Sequence, residues 1–378
     1  MKKKSLIYLS AAVAVLLLTF SCPGCSGISN AVTSVADAIT KPTAREVYKR
    51  EFKENMMLYE AWIEAYNSAL KDSLNISLPY GEKGTFNPLK ETAYSYNLNL
   101  QEGEVLVTEV IKDSSQRVFI DLFQDNKNEK RSELNQHRLE FAIQSSGIYK
   151  LMIQPEIAAN SNFFISITKK PQYNFPVAGK SNGAIGSFWG MEREGGKRRH
   201  EGIDIFAHKG TPVVAATNGI IGFTGERGIG GKQVWLRDGI FGKFLYYAHL
   251  DSINVQSGLR VKMGDTLGFV GNTGNAKFTP PHLHFGIYKA TGAVNPLPYV
   301  YKAEQILPEN YPADFKTTLL KVKRTANLRQ GPSLNYSVLG RLNSNNTIIL
   351  LGQHKEWLHI ITPQGSKAFL HKSLVNNK

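Results

Sequence analysis

Cysteine is almost missing from this chain of 378 residues: there are two, Cys22 and Cys25. Beyond them no thiol remains, so neither disulfides nor thiolates can hold the fold or a metal ion. Any zinc site must therefore be built from histidine and carboxylate. The sequence also lacks zinc-finger spacing, a basic helix and clusters of aromatics among Lys and Arg, so it offers no nucleic-acid signature. Acidic side chains are the minority, 31 against 45 Lys and Arg, for a formal net charge of +14. A surface of that sign favours polyanions such as anionic lipid or acidic cell-wall polymers, unless it is simply solvated.

One long apolar run exists at the start, Leu6 to Phe20, behind Lys2, Lys3 and Lys4. It is short for a membrane span, and its charged flank fits an export signal. Ser21-Cys22 follows at once and resembles a bacterial lipoprotein cleavage site, although Thr19 and Phe20 depart from that pattern. The reading is an exported chain, lipid-anchored through Cys22 to a bacterial membrane and facing the periplasm or cell envelope. An ordinary cleaved signal and an uncleaved anchor stay open. No acidic run after Cys22 argues for display outside the cell.

The rest is mainly β. Residues 1–21 read as the signal and 22–42 as a tether. In 43–77, Tyr48, Phe52, Met56, Tyr59, Ile63, Tyr66 and Leu70 recur at steps of 3 and 4, which predicts one helix to about Ser73. Residues 78–171 alternate short β-rich runs with turns: Tyr94–Leu100, Val105–Val110, Arg117–Phe123, Leu139–Ile143, Tyr149–Ile153 and Phe163–Thr168. Ser145-Ser146-Gly147 and Asn126-Lys127-Asn128 read as hairpin tips, and the whole as a small β-sandwich. His137 stands alone there and reads as a surface residue. Residues 172–302 are Gly-rich short strands, predicting an antiparallel sheet with almost no helix. A connector at 303–315 precedes a last segment, 316–378, with five or six short strands, enough for a small barrel.

The chemistry concentrates in 172–302. His200-Glu201-Gly202-Ile203-Asp204 sets an imidazole and a carboxylate four apart, on the same side of an extended strand. Pro281-His282-Leu283-His284-Phe285 sets two imidazoles on one face, with Leu283 and Phe285 on the buried one. His249 lies between them in sequence. A catalytic zinc takes three protein ligands and leaves a fourth position for water, a count that two His and one Asp satisfy. The remaining histidines are then available for protons and the developing oxyanion.

The contexts of these residues carry a resemblance. His200-x-Gly202-x-Asp204-Ile205, Gly210-Thr211-Pro212-Val213, Tyr247-Ala248-His249-Leu250, Gly264-Asp265, Gly271-Asn272-Thr273-Gly274 and Pro281-His282-Leu283-His284-Phe285, in that order, resemble the M23 metallopeptidases, the LytM- and lysostaphin-type cell-wall endopeptidases. The resemblance implies an antiparallel β domain with an open groove and a Zn2+ bound by His200, Asp204 and His284. It implies that His249 and His282 are catalytic and that the substrate is the peptide part of peptidoglycan. His208 matches no family role and reads as a surface residue or one touching a ligand. Ala326-Asn327-Leu328-Arg329-Gln330-Gly331-Pro332-Ser333 and Glu356-Trp357-Leu358 resemble the bacterial SH3 domain, although Ala368-Phe369-Leu370 replaces its usual last strand. That resemblance implies wall-peptide binding, with Trp357 and Tyr336 as contacts; a barrel without ligand, with both residues in its core, is the alternative.

The expected function is thus zinc-dependent hydrolysis of peptidoglycan peptides, and all five site positions are filled. A silent relative that activates other cell-wall hydrolases, and a peptidase acting on proteins, are the competing readings.

Overall fold

The computed structural model describes residues 40–87, 92–125, 127–240, 242–306 and 317–376. The signal, Cys22, most of the tether and most of the connector lie outside the described residues. Two compact units are distinguished, one ending at Glu60 and one spanning Ala61–Lys378. Among the described residues no helix is long and apolar enough to cross a membrane.

In the first unit α1 (Ala44–Lys49) starts at a capping box, in which Thr43 and Glu46 satisfy each other's backbone N–H groups. The single helix expected for 43–77 is in fact interrupted. A 3-10 turn at Arg50–Phe52 follows α1, and α2 runs from Met56 to Ala69, ending short of Ser73. The expected stripe keeps Tyr48, Tyr59 and Tyr66 buried and Ile63 half-buried, and Trp62 and Ala69, which it did not include, are fully buried beside it. Trp62 donates from Nε1 to the carbonyl of Pro155 at 2.8 Å.

Eight strands build the sandwich. They are β1 (Tyr80–Thr85), β2 (Tyr94–Leu100), β3 (Glu104–Lys112), β4 (Val118–Gln124), β5 (Lys127–Arg131), β6 (Arg138–Ala142), β7 (Gly147–Pro155) and β8 (Asn162–Pro171). The sequence pattern reveals six of them. It misses β1, whose Gly and Glu break the apolar alternation, and polar β5, which takes Lys127 and Asn128 out of the expected hairpin tip. One sheet runs β2-β7-β4-β5.

The segment of residues 172–302 contains β9 (Ile185–Ser187), β10 (Glu192–Arg193), β11 (Arg198–Arg199), β12 (Ile203–Phe206), β13 (Pro212–Val214), β14 (Gly219–Glu226), β15 (Lys232–Asp238), β16 (Phe244–Ile253), β17 (Arg260–Val261), β18 (Thr266–Val270), β19 (His282–Lys289) and β20 (Gly292–Val294). Its sheet follows β17-β14-β15-β16-β19-β12-β9, with every pairing antiparallel, and its helix is limited to α3 (Leu297–Val300) and 3-10 turns. Ile205, Val234, Leu245, Leu283 and Phe285 fill its core. Glu102, from the sandwich, reaches this segment, accepting from Lys289 Nζ and Tyr299 Oη at 2.8 Å each.

The last six strands are β21 (Leu319–Lys321), β22 (Ala326–Arg329), β23 (Val338–Leu342), β24 (Thr347–His354), β25 (Trp357–Ile361) and β26 (Lys367–His371), around Leu320, Leu328, Ile348, Leu358 and Leu370. They are continuous with the sandwich: β24 pairs with β1 at Lys83↔Gln353, giving the order β23-β22-β26-β25-β24-β1-β8-β3-β6. Leu351, Ile361 and Phe369 enter the sandwich core. At the join Glu82 is fully buried and accepts from Tyr80 Oη, from Tyr96 Oη at 2.7 Å and from His359 Nδ1 at 3.0 Å. Burial works against the charge of Glu82, but His359 and the two hydroxyls outweigh it and lower its pKa.

Truncating Glu82 to Ala leaves three buried donors without an acceptor, and each such unsatisfied group costs about 1–3 kcal/mol. We expect a loss of that order in urea unfolding of the Glu82→Ala protein. Because the folded pKa of Glu82 is depressed, its contribution is complete above the unfolded value of 4.5 and declines as the pH falls through the lower folded value. The variant should therefore lose part of the acid sensitivity seen in the parent.

Candidate metal centre

Two neighbouring strands set the centre. β12 and β19 pair so that Asp204 stands opposite His284 and Phe206 opposite His282. The two-residue period of β19 turns His282 and His284 to one side, and Leu283 and Phe285, both fully buried, to the other. His200 reaches the same place differently from the sequence expectation: it precedes β12, and the chain bends at Gly202. A Cβ at Gly202 would lie 2.6 Å from Cε1 of His284 and 2.7 Å from the carbonyl oxygen of Phe285. The glycine of this motif is thus required by the close approach of His284.

The three side chains converge. His200 Nε2, Asp204 Oδ1 and His284 Nδ1 are 3.0 Å from one another in every pair. His200 Nδ1 lies 2.9 Å from the carbonyl oxygen of Phe188, which can only accept. Nδ1 therefore carries the proton, and in a neutral ring Nε2 presents a lone pair to the lone pairs of Asp204. A cation among the three atoms resolves that opposition, and bonds of about 2.0–2.1 Å, usual for zinc, would reach all three. Among the described residues this is the group of His, Cys, Asp or Glu able to hold a metal ion. Burial disfavours charge on Asp204, yet its histidine partners outweigh it and hold the carboxyl well below the usual range. For His284, burial prevails over Asp204 and lowers the imidazole pKa.

His249 and His282 flank the trio, with ring centroids 5.1 Å apart. Each is oriented by a carbonyl: Nδ1 of His249 donates to Thr273 O at 2.9 Å, and Nδ1 of His282 to Pro280 O at 2.8 Å. In both rings Nε2 is left for the groove, and that of His282 is 3.9 Å from Asp204 Oδ1. Burial first, then the neighbouring His282 and His284, push the pKa of His249 down to about 4. Strand alternation alone would send His249 to the buried face beside Tyr247. Its φ of +62° and the register shift against β15, where Val234 pairs with Tyr247 but Lys232 with Leu250, redirect it into the groove.

The sequence model of peptidase family M23 matches residues 198–296, and that of the bacterial SH3 domain matches 324–376. Residues 198–296 are a domain of peptidase family M23. The match includes the L-Ala–D-Glu endopeptidase of Bacillus subtilis, 37% identical over 129 residues, 32% of this chain and 39% of that one. The glycyl-glycine endopeptidase ALE-1 of Staphylococcus capitis is 37% identical over 28% of this chain and 30% of its own. The catalytic domain of lysostaphin from Staphylococcus simulans is 34% identical over 30% of this chain and 89% of that domain, with a TM-score of 0.28. The chain spans about two fifths or less of the length of these two curated relatives.

The M23 centre lies in a groove of about 720 Å³ whose lining residues all fall between Ser187 and Tyr288. No described residue of the sandwich or barrel lines it. Trp235, Tyr246 and Tyr288 form one wall, with Trp235 4.5 Å and His284 5.8 Å from the Tyr246 ring; burial pushes the Tyr246 hydroxyl up to about 12. All five site residues named from sequence meet here. His208 and His137 are exposed and away from the groove. Trp357, half-buried, lines a separate groove on the barrel with Arg324, Arg329 and His371. The Tyr336 hydroxyl instead bonds Ser77 Oγ at 2.8 Å. Sequence reasoning passed over Arg193, which lines the groove and donates to Asp204 Oδ2 at 2.7 Å; its signal was only an arginine a short turn before His200.

Gly202→Ala tests the packing behind the centre. The added methyl meets the backbone of Phe285 as well as a ring, so the misfit should cost about 1–3 kcal/mol. We expect a lower melting temperature and weaker zinc binding by calorimetry, whereas a change at the exposed Gly239, Gly239→Ala, where a Cβ meets nothing within 4 Å, should leave both near the parent's values.

Proposed function

We propose that the chain is an exported zinc endopeptidase that hydrolyses peptide bonds in peptidoglycan. The observation that carries this reading is the meeting of His200 Nε2, Asp204 Oδ1 and His284 Nδ1 at mutual distances of 3.0 Å, beside His249 and His282. Relatives named as wall endopeptidases support the substrate class, among them the peptidoglycan DD-endopeptidase ShyC of Vibrio cholerae. Lys2–Lys4, the apolar run to Phe20 and Cys22 support export and lipid attachment at the envelope.

Zinc held by the three side chains supplies a Lewis acid and brings the pKa of its water toward 7. Asp204 contributes one negative charge, and His200 and His284 contribute neutral nitrogens. His249 is uncharged at neutral pH because burial depresses its basicity, so Nε2 is a free acceptor beside the reacting atoms. His282, held through Nδ1, turns its other nitrogen to the same side. With each Nδ1 committed to a carbonyl, Nε2 of either ring is an acceptor: one takes the proton from the attacking water, and once protonated it donates from Nε2 toward the oxygen that gains charge before returning the proton to the leaving nitrogen. The wall of Trp235, Tyr246 and Tyr288 gives an extended peptide a flat apolar face. We further propose that the barrel groove around Trp357 holds wall peptide.

The test is mass spectrometry of muropeptides before and after digestion with protein lacking residues 1–21. Peptide fragments should appear with the parent and vanish with a chelator or with His200→Ala. His249→Ala and His282→Ala should keep stoichiometric zinc yet lose about 10²–10⁴ in kcat. Stoichiometric zinc in the parent with no turnover of any muropeptide would overturn the enzyme reading in favour of a regulator.

A further inference from the structure

The two oxygens of Asp204 have different fates. Oδ1 faces His200 and His284 at 3.0 Å, whereas Oδ2 accepts from Nη2 of Arg193 at 2.7 Å. The same Nη2 also donates to Ser187 Oγ. Ser187 stands opposite Asp204 in the pairing of β9 with β12, and its Oγ is 3.3 Å from His200 Nδ1. The chain between Ser187 and Arg193 holds His200 as well: Gly190 N–H donates to His200 O at 2.9 Å, His200 N–H to Met191 O at 2.8 Å, and the ring to Phe188 O. Arg193 itself is fixed on a two-stranded hairpin, opposite Arg198, which is ion-paired to Glu194. One short stretch of chain thus grips both ends of the His200–Asp204 motif.

We propose that Arg193 is a positioning residue that confines Asp204 to one oxygen toward the metal. This rests on the metal reading above. A carboxylate with both oxygens free can rotate and offer two donors, closing the coordination position that hydrolysis needs to keep open for water. A guanidinium on Oδ2 prevents that through a charge-assisted hydrogen bond, and its second tether at Ser187 stops it from following the carboxylate. Its positive charge also offsets part of the anion's, so the site retains more of the metal's electron-withdrawing power.

The test uses the full mature chain loaded with cobalt(II), whose visible absorption weakens as coordination number rises. The parent and Arg193→Met are compared for absorption, cobalt stoichiometry, melting temperature and, with zinc, kcat and KM. Arg193→Met should bind cobalt with weaker visible bands, and its kcat should fall about 10–100-fold with KM within about twofold, the size usual for groups supporting metal ligands. Arg193→Lys keeps one donor for Oδ2 without the second tether. It should lie between the two in both readouts, and it decides the matter if Arg193→Met does not fold. Parent-like bands and kcat in folded variants would overturn the role of Arg193 alone. A rise confined to KM would make it a substrate contact and overturn it too. Failure of the parent to bind cobalt at all would overturn the metal reading itself.

Discussion

The groove depends on one electrostatic constraint: three lone-pair donors are held 3.0 Å apart on largely buried side chains. Such a group is stable only with a cation or protons among its atoms, and the surrounding chain is arranged to make the choice. The carbonyl of Phe188 claims the outer proton of His200, so Nε2 is left as a donor to an ion. The pairing of β12 with β19 fixes Asp204 across from His284, and the bare Cα of Gly202 lets the His284 ring come close enough. Removing any one of these shifts the balance from metal binding toward proton binding.

The same principle recurs away from the groove with a structural outcome. Glu82 is as buried as any metal ligand, but its charge is answered by His359 and two tyrosine hydroxyls, so it joins barrel to sandwich instead of recruiting an ion. Exposed pairs such as Arg198–Glu194 contribute at most about 1 kcal/mol. The burial of Glu82, together with Leu351, Ile361 and Phe369 in the sandwich core, makes the last strands part of that sandwich. A barrel built this way is held against the sandwich by its own strands, so its groove keeps a set position beside that core.

The motif positions of the centre were legible because each needs a particular atom: imidazole nitrogen, carboxylate oxygen, or the missing Cβ of Gly202. The period-2 pattern of His282 to Phe285 correctly assigns faces because β19 is regular there. Where local irregularity decides the outcome, the pattern failed. The break after Phe52 divides the expected single helix, and the bend at Gly202, not an extended strand, brings His200 beside Asp204. β1 was invisible because what it buries includes a charge, Glu82. Arg193 was invisible because a lone arginine has no period, and its role depends on a hairpin folding back over His200.

His249 shows why irregular backbone is kept at this centre. A non-glycine residue at a φ of +62° costs about 1–2 kcal/mol, and a regular strand would avoid that cost. In a regular strand, however, Ala248 and His249 could not both face the groove, as they do. The regular pairing with β19 places the small Ala248 opposite His284, and the kink delivers the next residue's imidazole to the same groove. The bond from Nδ1 to Thr273 O then holds the ring in that orientation and offsets part of the strain. The two flanking imidazoles thus arrive by opposite means, His282 by strict alternation and His249 by breaking it.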